Sequence, residues 1–157
     1  MNQRILALDL GRKVGWAVAD DGEVYDHDVW CNPHEHCGEV NLYFACFGYW
    51  LCETLATLKP DLILLAKKHA QKSTASSESL FGLRGIVLEQ CGKRNIQSFP
   101  SVKEPEVKKH MTGKGNAPKD AIVAAVQAQG IEVDDDNEAD AVALVLWYVE
   151  TCARKGI

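Results

Sequence analysis

The chain has 157 residues, of which 46% are hydrophobic and 25% charged, and a formal net charge of −5. This length and composition suit one domain over residues 1–157 with a full core. No apolar run approaches the roughly 20 residues of a membrane span, and Met1-Asn2-Gln3-Arg4 runs straight into a predicted strand, so no signal peptide is expected. Cys31, Cys37, Cys46, Cys52, Cys91 and Cys152 are scattered without a dense framework, which points to a reduced, cytoplasmic setting.

The net charge argues against a polyanionic partner, but its distribution reverses that. Residues 59–119 hold 12 Lys and Arg against 5 Asp and Glu, and the rest hold 5 against 17. A basic middle inside an acidic chain suits a focused nucleic-acid surface. The plainer reading is a set of solvated faces on ordinary helices.

In chain order, Ile5-Leu6-Ala7-Leu8-Asp9-Leu10-Gly11 reads as a buried strand over residues 4–10 that delivers one carboxylate at its end. Residues 13–20 form a second strand after a tight glycine-containing turn, and Asp21-Gly22 signals a hairpin into a third strand near 23–30. A loop over 31–38 precedes a helix of roughly 39–58, where Leu42, Phe44, Ala45, Phe47, Leu51, Leu55 and Leu58 largely follow helical spacing. Pro60 closes that helix and opens a fourth buried strand, Pro60-Asp61-Leu62-Ile63-Leu64-Leu65, with Ala66 at its end.

Residues 67–75 read as a polar, basic loop, and Ser76 or Ser77 caps a helix running to about Gly92. A short fifth strand over 95–99 ends at Pro100, and a basic helix follows over 103–111. Thr112-Gly113-Lys114-Gly115-Asn116 is a flexible connection to a helix that starts at Pro118 and ends near Gly130. The last helix starts at Asp136 or Asn137 and runs to about Arg154. Three antiparallel strands, a helix, a strand, a helix and another strand make an α/β mixed sheet flanked by helices, the order of the ribonuclease H-like fold.

Several pieces follow one another at characteristic spacing. They are Leu8-Asp9-Leu10-Gly11 with Gly15-Trp16-Ala17, Pro60-Asp61, Leu83-Arg84-Gly85, Val107-Lys108, Thr112-Gly113-Lys114-Gly115 with Lys119, and Glu138-Ala139-Asp140-Ala141-Val142-Ala143-Leu144. In these pieces, which span nearly the whole length, the chain resembles the RuvC family of Holliday junction resolvases, most of all its phage-type members. The resemblance implies a homodimer, in a bacterial or phage-infected cell, that binds a four-way DNA junction. It implies symmetric nicking with two Mg²⁺ or Mn²⁺ ions held by four acidic-type positions. Asp9 matches the first of these and Asp140 the last. Ala66 falls at the second, which the family fills with glutamate. Asn137 falls at the remaining one, three residues before Asp140, and Asp136, one turn back from Asp140, is the alternative.

Phosphodiester hydrolysis needs an activated water and compensation of charge at phosphorus, which two hard cations about 4 Å apart supply through oxygen ligands. A carboxylate ending an apolar strand, as Asp9 does, is costly unless it meets a metal or a base. Its plainer reading is a surface aspartate before a turn. For the acids near Asp140 that reading is capping or dipole stabilisation at a helix N-terminus. Ala66 has no side-chain oxygen to offer. Two explanations compete: an engineered inactivating change, favoured by the otherwise well-matched chain, and a natural residue of a junction binder without efficient cleavage.

Lys67, Lys68, His69 and Lys72 would border the site and contact phosphate, and Lys108, Lys114 and Lys119 make a second basic group. By resemblance, Lys108 and Lys119 match positions near the scissile phosphate, where a cation stabilises developing charge. Neutralising about six phosphates predicts a log–log salt slope near −5. Also by resemblance, residues 76–92 are the dimer helix, with Leu80, Phe81, Leu83 and Arg84 at or near the interface. Symmetric nicking needs two sites at fixed separation, hence a two-fold partner.

Two other patterns carry less. Cys31, His34, His36 and Cys37 are too compressed for a standard zinc finger. Asp9-Leu10-Gly11 with Gly15 resembles the phosphate loop of actin-like ATPases, which need a much longer duplicated domain. The leading reading is a structure-selective endonuclease for branched DNA in an inactive form. Its competitors are a non-catalytic branched-DNA binder and a ribonuclease H-like nuclease acting on RNA or RNA–DNA hybrids.

Overall fold

The computed structural model describes residues 3–34, 39–67, 74–99 and 101–152. Strand β1 (Arg4–Asp9) pairs antiparallel with β2 (Lys13–Asp20), which pairs antiparallel with β3 (Glu23–Cys31). The β2–β3 hairpin turns through Asp21 and Gly22 at φ of 50° and 89°, the left-handed pair that matches strand twist in a two-residue loop. Helix α1 (Val40–Leu58) ends at Lys59, whose left-handed backbone and the following Pro60 stop it. Strand β4 (Leu62–Lys67) then runs parallel to β1, in register from Ile5 opposite Leu62 to Leu8 opposite Leu65. Asp61 lengthens that ladder: its carboxylate accepts from the Arg4 backbone N–H at 2.8 Å, and its own N–H donates to the Arg4 carbonyl at 2.9 Å.

Helix α2 (Thr74–Arg94) leads to β5 (Gln97–Ser98) and β6 (Val102–Lys103), both parallel to β4. Helices α3 (Glu104–Thr112), α4 (Lys119–Gln127) and α5 (Asp136–Thr151) follow. The strand order is β3-β2-β1-β4-β5, with β6 on β4 beyond β5. The expected meander and mixed sheet are therefore present. Strand β6 was not expected, and α2 starts two residues ahead of Ser76. No described helix is long and apolar enough to cross a membrane.

Strand periodicity sorts the sheet into two packed faces. Ile5, Ala7, Ala17, Ala19, Leu62 and Leu64 face α5, with α3 and α4 closing that layer. Leu6, Leu8, Val14, Val18, Ile63 and Leu65 face the other way, onto Phe47, Leu51 and Leu55 of α1 and Leu83, Val87 and Cys91 of α2. Helix α5 is buried almost all round from Ala139 to Val145, as expected of a helix enclosed between a sheet and other helices.

Candidate active site

Asp9 and Ala66 are the next residues on β1 and β4 after the last paired positions, Leu8 and Leu65. By strand parity both lie on the α5 face, and Ala66 packs against the cluster there. Asp9 is only 2% exposed, so the central pair of parallel strands ends on a buried carboxylate beside a methyl group.

Helix α5 reaches this point because the sheet lets it come close. Gly15 is the register partner of Asp9, and a Cβ at Gly15 would stand 1.8 Å from the Asn137 carbonyl oxygen. Only glycine permits that approach. The start of α5 is fixed by Asp135, whose carboxylate accepts from the Asn137 N–H at 2.8 Å and from the Asn137 side-chain amide at 2.9 Å. Burial raises the Asp135 carboxyl, but the Asn137 hydrogen bonds and the Lys13 ammonium, 3.6 Å away, bring it below its ordinary value. One residue further on, Glu138 is held by His27 on β3 at 2.6 Å and accepts from the Asp134 N–H at 3.3 Å.

Lys119, the first residue of α4, is hydrogen-bonded to Asp136. That bond raises the lysine pKa most. Burial opposes it, and the charges of Asp136, Asp140 and Asp9 raise it further. One ammonium thus lies within electrostatic reach of all three carboxylates, gathered from β1 and from the first turns of α5.

The structure therefore brings Asp9, Ala66, Asp136, Asn137, Asp140 and Lys119 to one place. The side chain of Lys108, 18% exposed, pairs with Glu104 on its own helix at 2.6 Å. Lys114 is exposed after the left-handed Gly113 that ends α3. The backbone of Lys67 pairs with Lys103. Lys68, His69 and Lys72 lie outside the described residues, as do His36 and Cys37 of the Cys/His group. On α2, Phe81 is 69% exposed, but Leu83 is 1% exposed and belongs to the core beneath α2. Leu83 lies beneath α2 and not on its outer face, which corrects its placement at an interface. Leu80 is partly buried against the same cluster, and Arg84 is partly exposed.

The donor set does not fit a two-ion site. Ala66 contributes a methyl group, Asp136 is paired with Lys119, and the Asn137 amide is turned to Asp135. Among the described residues, no group of three or more His, Cys, Asp or Glu stands where it could hold a metal ion. The matched carboxylates are two, Asp9 and Asp140. A hard cation held by one or two carboxylates keeps several of its waters, whereas a two-ion clamp needs more ligands than these positions provide.

The task of Gly15 has one signal in the sequence, since an isolated glycine inside a strand marks close backbone approach. The supporting pairs Asp135–Asn137 and His27–Glu138 join residues whose proximity no local pattern announces.

No family model matches the chain. The crossover junction endodeoxyribonuclease RuvC of Gloeobacter violaceus is 35% identical over 156 residues, covering 92% of this chain and 88% of that protein. RuvC of Brachyspira hyodysenteriae is 33% identical over 109 residues, covering 69% of this chain and 68% of that protein. The structure of T. thermophilus RuvC in complex with Holliday junction substrate matches with a TM-score of 0.81 at 16% identity, covering 98% of this chain and 96% of that one. That likeness shows the ribonuclease H-like fold. With a curated relative this similar over nearly its whole length, the chain belongs to the RuvC family of crossover junction endodeoxyribonucleases.

Proposed function

We propose that the protein is a Holliday junction-resolving endonuclease, one domain acting as a homodimer on four-way or otherwise branched DNA in the cytoplasm, with its hydrolytic step held back by Ala66. The observation that carries this reading is the meeting of Asp9, Ala66, Asp140 and Lys119 where two parallel strands end beneath α5. Asp9 would orient the group bound there. Lys119, kept protonated by Asp136, would meet a phosphate oxygen and stabilise charge developing on it. Lys114 and the basic residues after β4 would contact flanking phosphates. The outer face of α2 supports a second copy: Phe81 and Leu88 are 69% and 41% exposed, and a Cβ on Gly85 between them would meet nothing within 4 Å.

Because the donor set falls short of a two-ion site, the second reading, junction binding without efficient cleavage, is the expected behaviour of the chain as it stands. Both are tested together. The protein and its Ala66→Glu variant are given a labelled four-way junction, first in gel shifts and then in nicking assays with Mg²⁺ or Mn²⁺. Both should bind, and Ala66→Glu should raise divalent-dependent nicking by orders of magnitude. No gain, in a folded variant shown to bind the metal, would overturn the assignment of position 66.

A further inference from the structure

A cleft of about 450 Å³ opens on the other side of the sheet, around the turn that follows β1. Its apolar lining comes from Leu10, Tyr43, Leu80 and Leu83, and its polar lining from Arg12, Asn32, His34, Ser76 and Ser79, with one carboxylate, Glu39. The Tyr43 hydroxyl donates to the Gly11 carbonyl at 2.7 Å, so the ring is fixed against the turn. Burial pushes that phenol up to about 12, so the donor is retained at every working pH.

We propose that this cleft receives one unstacked nucleotide of branched DNA, with the base against Tyr43 and its phosphate toward Arg12. The inference rests on the proposed junction binding. Continuity supports it: Leu10, Gly11 and Arg12 of the cleft follow Asp9 directly, so the cleft opens within a few residues of the end of β1 where the scissile phosphate is proposed to lie. The volume lies in the lower part of the usual range for small-ligand sites, about 300–1,000 Å³. An aromatic wall with apolar neighbours and a few polar groups at the edge is how splayed bases are held. A branch point supplies such a base at little cost, because unpairing and unstacking are least expensive where the duplex is already interrupted.

The test uses the full chain and a four-way junction carrying 5-iodouracil at each position flanking the branch point in turn. After irradiation, one position should crosslink to Tyr43, identified by mass spectrometry. Ser79→Trp, which fills the cleft, should abolish that crosslink and weaken junction binding about tenfold, the worth of one base-stacking contact. Val40→Trp blocks the mouth from a residue that is 59% exposed, and should repeat the effect without disturbing the core. Unchanged affinity in both variants, with no crosslink to Tyr43 from any position, overturns this inference alone. A chain that binds no branched DNA at all overturns the proposed function with it.

Discussion

The two faces of the sheet differ in their share of small side chains. Toward α5, Ala7, Ala17 and Ala19 with Gly15 lie among the larger Ile5, Leu62 and Leu64, and α5 answers with Ala139 and Ala143, one turn apart. Toward α1 and α2 the strands present Leu6, Leu8, Val14 and Val18, met by Phe47, Leu51 and Leu55. Small residues bring the helix backbone onto the sheet, and so carry Asp136, Asn137 and Asp140 to the strand ends. Large residues fill the layer beneath α1 and α2, and Leu10 and Leu83 of that layer line the cleft. The active-site face depends on closeness, whereas the other depends on filled volume.

The comparison breaks most visibly by emptying the large-residue face. Phe47 is fully buried and lies edge-on to Trp30 with ring centroids 5.5 Å apart. Phe47→Ala should cost about 4 kcal/mol in urea unfolding, from lost transfer energy and the cavity left behind. On the Ala66→Glu background the nicking rate of the bound junction should stay near that of the parent, since Phe47 supports none of the groups beneath α5. The opposite operation, adding volume, is the one the α5 face should not tolerate. Gly15→Ala puts a methyl into the Asn137 carbonyl, where backbone rather than a flexible side chain must yield. The expected loss is about 3 kcal/mol. Made on the Ala66→Glu variant, it should also reduce nicking, because α5 moves and takes Asp140 with it. A stable, fully active Gly15→Ala variant would show that the helix does not need this approach.

A smaller effect sharpens the same contrast at the level of charge. Lys119 sits among acids on the α5 face, while other lysines of the basic middle are neutralised within their own helices, Lys93 by Glu89 at 2.7 Å and Lys108 by Glu104 at 2.6 Å. Lys119→Gln should weaken junction binding and lower the log–log salt slope by about 1, one phosphate contact fewer. Lys108→Gln should change the slope less. Fluorescence anisotropy over a salt series measures both.

This division explains what was legible beforehand. The strands β1 and β4 announce themselves as apolar runs, and Asp21-Gly22 as a turn, because those signals are local. Asp9, Ala66 and Asp140 carry no local signal of a shared site and are legible only through a family resemblance. Strand β6 escaped notice because two residues directly before a proline-led helix carry no period. Leu83 falls near a partner-facing surface by resemblance alone, and its helix carries two apolar sides: Leu83, Val87 and Cys91 face inward, Phe81 and Leu88 outward. Apolar spacing alone does not say which stripe meets the sheet. The cleft was invisible for a different reason. Its walls come from the β1–β2 turn, α1 and α2, segments that share no motif and meet only in three dimensions.

The smallest effect lies at the far end of β1, away from both the site and the cleft. Arg4 donates to both Asp20 carboxylate oxygens, at 2.8 and 2.9 Å, and to the Leu58 carbonyl at 2.6 Å, tying β1 to β2 and to the end of α1. The hydrogen bond from Arg4 lowers the Asp20 carboxyl below its ordinary value of 3.8; burial opposes it and the Arg4 charge adds to it. A carboxyl depressed in the folded state binds protons more readily in the unfolded one, so its stabilising contribution is full above the unfolded value and fades as pH falls through the folded one. Asp20→Asn should therefore be slightly less stable than the parent at neutral pH, and the two unfolding curves should converge as the medium becomes more acidic than the ordinary aspartate range. Both side chains are more than a third exposed, which keeps the difference small. If thermal melts from pH 7 into that acid range show a constant gap, the Arg4 bond is not what holds the carboxyl down.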